Sequence, residues 1–395
     1  MFLKLAHKSL RFRKNSVLLT IFAMAISLTV LLGVEHIRQQ TKHSFASSVS
    51  GIDLIIGTRT SQLNLLLYSV FRIGSPTSNI SWQSYKNIRQ HPDVRWSIPI
   101  SLGDSHKSYR VVGTTNDYFK YFKFGDTQQL AFAQGQNFQG TFDVVIGHKV
   151  AQLLNYKLGD QITLSHGIGS TSFVNHDKNP FVVSGILQPT GTPVDQSLHV
   201  SLAGLEAIHA TPQSMPGTLT PKSITAMMIG LDSKTKIFRF QRAINTDPNE
   251  PLTAILPGVA LAELWQSLSM IEGTLTVISS LVFVSAAIGL GAMLMASIKE
   301  RTQEVQLLRM LGATPIFIFC FIELEALLIT AVSILIAVVI LSIAILIGQE
   351  HLASQYAVQT DWLILSATSV TTLAQVFVVA AVCSIPAAIV AYRRL

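Results

Sequence analysis

The chain has 395 residues, of which 49% are hydrophobic and 13% charged, with a mean hydropathy of +0.43. Soluble globular chains carry roughly 25% charged residues, so this balance excludes an ordinary soluble enzyme and points to a membrane protein. The formal charge of +7 does not call for nucleic acid, because Lys4, Lys8, Arg11, Arg13, Lys14, Lys299, Arg301, Arg309, Arg393 and Arg394 all stand beside long apolar runs, in the positive-inside pattern.

Residues 1–16 read as a basic cytoplasmic start and 17–35 as a first transmembrane helix, close to the roughly 20 residues a bilayer requires. Ala23-Met24-Ala25 has the look of a leader-peptide cleavage triplet. The apolar run continues from Ile26 to Val34, beyond what a cleaved leader needs, so an uncleaved span is expected. Residues 36–273 are polar with no spanning run, and the basic start places them on the far side of the membrane. Within them, 52–56, 110–112, 142–146, 161–164 and 181–187 are β-branched segments bounded by Gly, Asp or Asn, and read as strands. Residues 82–89 and 149–155 read as short helices, which makes this insertion α+β rather than a sandwich. At its ends, 36–48 and 261–272 read as stalk helices running into the spans.

A second span is expected over 274–298, where Gly289 and Gly291 offer close helix approach. A charged segment follows at 299–314, then a third span at 315–347. The loop 348–361 contains Glu350 and Asp361 and no Lys or Arg, as suits the outer side. A fourth span at 362–392 leads to 393–395 in the cytoplasm. The expected fold is therefore membrane α-helical, with four transmembrane helices and a large α+β periplasmic domain between the first and second. Cys320 and Cys383 both fall in apolar runs, so no disulfide framework is expected outside the membrane.

The segment 299–314 is the most informative stretch. Pro315 is suited to a first helical position and Thr314 to the N-cap before it, so a new helix starts there. Gly312 follows a run of helix formers and suits a left-handed helix end. Between these signals lies a helix of about three turns. Glu300 and Glu304 sit near its start and Arg309 near its end, as the helix dipole prefers, while Val305, Leu308 and Leu311 recur at helical spacing. Pattern alone leaves two readings open: an amphipathic helix resting on the membrane surface, or one that docks on a partner.

Two acids, Glu323 and Glu325, lie inside the third apolar run, where a buried charge costs about 3 kcal/mol or more. They fall within three turns of Pro315 and are expected to reach toward the inner interface, making interfacial or coupling contacts in preference to a proton relay. In the outer domain, His166, His176 beside Asp177, His199 and His209 are spread without metal-ligand spacing; imidazole and carboxylate suit zinc, but surface and core histidines are the plainer reading. Residues 188–195 form a Pro- and Gly-containing loop. No Gly-x-x-x-x-Gly-Lys-Ser/Thr sequence occurs, and no hydrolase-type nucleophile has a motif around it.

The order of one span, a large outer domain and three further spans resembles the MacB/FtsX-like family of ABC transporter permeases. Its most specific carriers are Glu300-Arg301-Thr302-Gln303-Glu304-Val305, similar to the family's E-R-x-x-E-(I/V) stretch, Arg309-Met310-Leu311-Gly312-Ala313, similar to its R-x-x-G-A turn, and Glu325, which looks like its third-span glutamate. In the outer domain, residues 144–147 and 158–162 are similar to the family's strand, helix and Gly-Asp turn. Ser333 and large aliphatics stand where family glycines often follow the glutamate. The resemblance implies that Lys299, Glu300, Arg301, Glu304, Val305, Leu308, Arg309 and Gly312 engage a cytoplasmic ABC ATPase dimer that carries the ATP. It further implies a homodimer or paired permease, a periplasmic adaptor or binding protein, and a bacterial inner-membrane location. The His segment and Pro189-Thr190-Gly191-Thr192-Pro193-Val194-Asp195 also resemble a branch found in zinc-regulated operons, which makes His166, His176, Asp177 and His199 candidate zinc ligands. The alternative reading is a membrane-anchored periplasmic module that binds metal or a partner protein.

Overall fold

The computed structural model describes residues 14–125, 127–166, 179–209, 220–300, 310, 313–356 and 367–393. The chain forms two compact units, one of Thr41–Leu268 with His351–Gln359 and one of Met1–Gln40, Ser269–Glu350 and Thr360–Leu395.

The second of these holds the greater part of the long helices α1 (Lys14–Ser47), α8 (Pro257–Glu300) and α9 (Pro315–Tyr356) and all of α10 (Ala367–Arg393), each long and apolar enough to cross a membrane. Met24 of α1, Leu290 and Leu294 of α8, Ile322, Ala326 and Ile329 of α9, and Ala380 and Ala387 of α10 pack into one buried cluster. In lipid such contacts act through close packing rather than through exclusion of water. The loop expected at 348–361 is shorter than its sequence implied, because α9 stays helical to Tyr356. Gly348 alone does not end it: no proline follows, and residues 349–356 are ordinary helix formers.

The outer unit adds six short helices: α2 (Gln62–Ser69), α3 (Trp82–Arg89), α4 (Asp117–Tyr121), α5 (His148–Leu154), α6 (Leu202–His209) and α7 (Ile237–Asn245). Its main strands are β1 (Leu54–Thr58), β2 (Val94–His106), β3 (Tyr109–Thr114), β4 (Phe132–Gly135), β5 (Asp143–Ile146), β6 (Phe181–Leu187), β7 (Ser197–Ser201), β8 (Ala226–Leu231) and β9 (Leu252–Ile255). They follow one path in the order β9-β1-β8-β2-β3-β7-β5-β6-β4. The β3–β7 and β5–β6 pairs are parallel and the rest of the path is antiparallel, which makes a mixed sheet of α+β type.

The sheet is buried on both faces. In β1, Leu54 and Ile56 enter one apolar cluster and Ile55 the other; in β8, Met227 and Ile229 alternate in the same way with Met228. That is why both strands read as continuous apolar runs rather than alternating ones. The 13-residue β2 serves two neighbours in turn, pairing with β8 through residues 94–100 and with β3 from Ser101 onward. Pro99 is tolerated there because the ladder on its second side begins only after it. Ser61 and Ser81 cap α2 and α3, each accepting an N–H three residues on at 3.2 Å.

Candidate functional site

The inner end of the helix bundle carries the predicted coupling segment. Lys299 and Glu300 close α8. Arg301, Glu304, Val305, Leu308, Arg309 and Gly312 lie outside the described residues. The far edge of the segment matches its sequence signals: the Thr314 hydroxyl accepts the Phe317 N–H at 3.3 Å, the Thr314 carbonyl accepts the same N–H at 2.9 Å, and α9 begins at Pro315.

Behind this segment, the two α9 acids behave differently from the expected reach toward the interface. Glu325 is 1% exposed. Glu323 Oε2 accepts the Ser384 hydroxyl of α10 at 2.8 Å, while its Oε1 is buried without a hydrogen-bond partner among the described residues. A hydroxyl one helix away removes the need for the side chain to stretch to the surface. Close by in the chain, the Cys383 carbonyl of α10 lies where a Cβ on Gly291 would meet it at 2.4 Å, so α8 and α10 touch backbone to backbone. Gly289 has no atom within 4 Å of the same position. Of the two glycines expected to permit close approach, Gly291 is the one that meets a neighbouring helix among the described residues.

Side-chain contacts tie α1 to α8 in each unit. In the membrane unit, Arg38 Nη2 lies 2.7 Å from Glu35 and Arg38 Nη1 3.8 Å from Glu272, which links α1 to α8. In the outer unit, Phe45 packs edge-on against Trp265 at 5.5 Å, Lys42 lies over the same ring at 5.3 Å, and Phe45 stacks on Phe71 at 4.4 Å. Phe71 belongs to the main apolar core, so the stalk is rooted in that core. Two basic, one acidic and two aromatic side chains within residues 36–48 and 261–272 were the available signal.

Of the candidate zinc ligands, His166 and His199 are among the described residues. His166 pairs with Asp104 in the register of the short strand Ser165–His166 against β2. His176 and Asp177 lie outside the described residues. His199, on β7, is wholly buried, with its ring 4.9 Å from that of Tyr118 and 6.0 Å from that of Phe119. Among the described residues no three His, Cys, Asp or Glu side chains gather as a metal site requires. Burial, followed by the Arg72 charge, pushes the His199 imidazole down from 6.5 to about 3. As pH falls below about 6.5, the unfolded chain takes up a proton that the folded one refuses, so stability is lost with acidification until pH nears the folded value. His199→Leu is expected to remove a loss of about 2–3 kcal/mol between about pH 6.5 and 4.5, read from thermal unfolding of the full chain in detergent; an unchanged pH slope would refute this.

The turn that resembled a family feature has the expected geometry. β5 leads through Gly147 into α5, Gly159 takes a φ of 87°, and Asp160 accepts the Lys157 N–H at 2.7 Å before the short strand Gln161–Ile162. Residues 17–246 match the model of the MacB-like periplasmic core domain, more than half of the chain, and residues 276–394 match that of the FtsX-like permease C-terminal region. The chain belongs to the MacB/FtsX family of ABC permeases.

As a MacB/FtsX permease it is a multi-pass membrane protein with its large domain outside the cytoplasm. Two solved structures are similar over that domain. The periplasmic region of MacB from Actinobacillus actinomycetemcomitans is 12% identical, with 56% of this chain and 97% of that one covered and a TM-score of 0.36. The extracellular domain of the ABC-type transporter YknZ from Gram-positive bacteria is 14% identical, with 52% and 98% covered and a TM-score of 0.32. No curated protein matches the sequence.

Proposed function

We propose that this permease is a mechanotransmission subunit of the bacterial inner membrane. A separate cytoplasmic ABC ATPase dimer pushes on residues 299–314, and the displacement passes along α8 and α1 to the outer domain. The subunit works as a homodimer or beside a similar permease, with a periplasmic adaptor or binding protein receiving the movement. Its outputs fall within efflux, extraction of lipid or lipoprotein, or signalling across the envelope.

The observation that carries this reading is α8 itself, a single helix of 44 residues from Pro257 to Glu300. At 1.5 Å per residue it is about 66 Å long. No proline interrupts it after its first residue, so proline, a common cause of sharp helix kinks, is absent from its length. Its ties to α1 through Arg38–Glu272 and Phe45–Trp265 favour joint movement of the two helices.

Purification of the full chain from its native membranes in mild detergent tests the proposal. An ABC ATPase is expected to co-purify in stoichiometric amount, with ATP turnover in the complex. A permease that emerges alone, from membranes in which every ABC ATPase remains detectable, would overturn it.

A further inference from the structure

One end of the outer sheet collects positive charge. Arg110 opens β3 and stands in register with Ser197, the first residue of β7. The Gly147 N–H, just past β5, donates to the Ser197 carbonyl at 2.9 Å, which brings the start of α5 and its Lys149 to the same end. Arg110 Nη2 donates to the Gly74 carbonyl, and Arg72 lies two residues before that glycine, held at a φ of 61°.

These cations are poorly matched by acid. Arg72 is 9% exposed; its Nη1 donates to the Ser69 carbonyl, while its Nε has no hydrogen-bond partner among the described residues. Its guanidinium lies beside the Tyr118 hydroxyl, which is itself buried and makes no aligned hydrogen bond there. Lys149 Nζ is likewise buried without a partner among the described residues. The carboxylate near this set is Asp195, which lies within electrostatic reach of both Tyr118 and Lys149. Its oxygens are already engaged: Oδ1 accepts from the Thr190 N–H and hydroxyl, both at 2.9 Å, and Oδ2 accepts from the Gly191 N–H at 2.7 Å.

A guanidinium this buried is stable only when its donors and charge are answered, and the planar fork of arginine matches an oxyanion. Arg110, at the half-open rim, is placed to meet such a group first. We propose that this sheet end is an oxyanion-binding site in which Arg110 and Arg72 hold a phosphate-type group and the Tyr118 hydroxyl and Lys149 complete its surroundings. The same group comes either as free phosphate or as a phospholipid headgroup.

The test uses the full chain in neutral detergent, followed by thermal unfolding. In one arm sodium phosphate replaces sodium chloride at constant ionic strength; in the other, phosphatidylglycerol is added to the micelles. A rise of roughly 3–5 °C is expected at a ligand concentration about tenfold above its dissociation constant. Arg110→Gln, at the rim, is expected to abolish the rise while leaving the unliganded melting temperature within a few degrees. Arg239→Gln, at an exposed arginine paired with Asp93, is expected to keep it. A rise with phosphate assigns the free anion, and a rise with lipid alone assigns the headgroup. No rise in either arm, or an equal rise in Arg110→Gln, would overturn the site.

Discussion

Replacing Glu304 by Lys and Leu308 by Asp is expected to separate the ABC ATPase from the full-length permease, with affinity lowered about 100-fold or more. The two residues are spaced i, i+4, which would place them on one face of the helix expected from the sequence. A leucine buried in a partner groove contributes about 2 kcal/mol, and placing a carboxylate there adds a desolvation cost. Reversing the charge at Glu304 sets like charges against whatever cation receives it. Together these amount to about 3–5 kcal/mol, or two to three decades in dissociation constant. Gln306 lies two positions from both residues, a spacing that a helix would turn away from them, and Gln306→Ala is the matched control. The measurement is co-purification in mild detergent with membrane insertion checked in parallel. A double variant that retains the ATPase at the wild-type level would remove the coupling role from this helix.

The second large effect belongs to the contact between α8 and α10. Gly291→Val places its new atoms against the Cys383 carbonyl, where the first of them would lie 2.4 Å from the oxygen. Backbone cannot yield as a side-chain tip can, so the helices must move apart and lose the packing of Leu290 and Leu294 against Ala380 and Ala387. A cost of about 2–3 kcal/mol is expected, seen as a fall of roughly 5 °C or more in the melting temperature of the detergent-solubilised chain. Gly289→Val meets open space within the chain, and is expected to leave that temperature unchanged. Equal losses in the two variants would show that the close approach is not at Gly291.

Several elements were legible because their signals are local. Trp82–Arg89 and Phe181–Leu187 have the bounds that the sequence implied. α5 runs one residue earlier than expected, at His148–Leu154, and β1 lies two residues later, at Leu54–Thr58. Ser81 and Thr314 accept N–H groups three residues on, so a single sequence contains both partners of each cap. The strands β7, β8 and β9 were missed for the opposite reason. Their ladder partners lie 87 or more residues away in β3 for β7, and in β1 for β8 and β9, and burial on both faces erased the alternation that marks a half-exposed strand.

The same division runs through the functional residues. Hydropathy, charge bias and capping depend on neighbours in the chain, so the four spans, the outer insertion and the capped start of the third span could be read from residue order alone. Tertiary structure alone decided that Glu323 meets Ser384, 61 positions on, that Gly291 rather than Gly289 receives a neighbouring helix, and that His199 is a neutral core residue. It also decided that Arg72, Arg110 and Lys149 share one end of a sheet. Desolvation and pairing are properties of the surroundings a side chain acquires on folding, and those surroundings come from segments that the linear order keeps far apart.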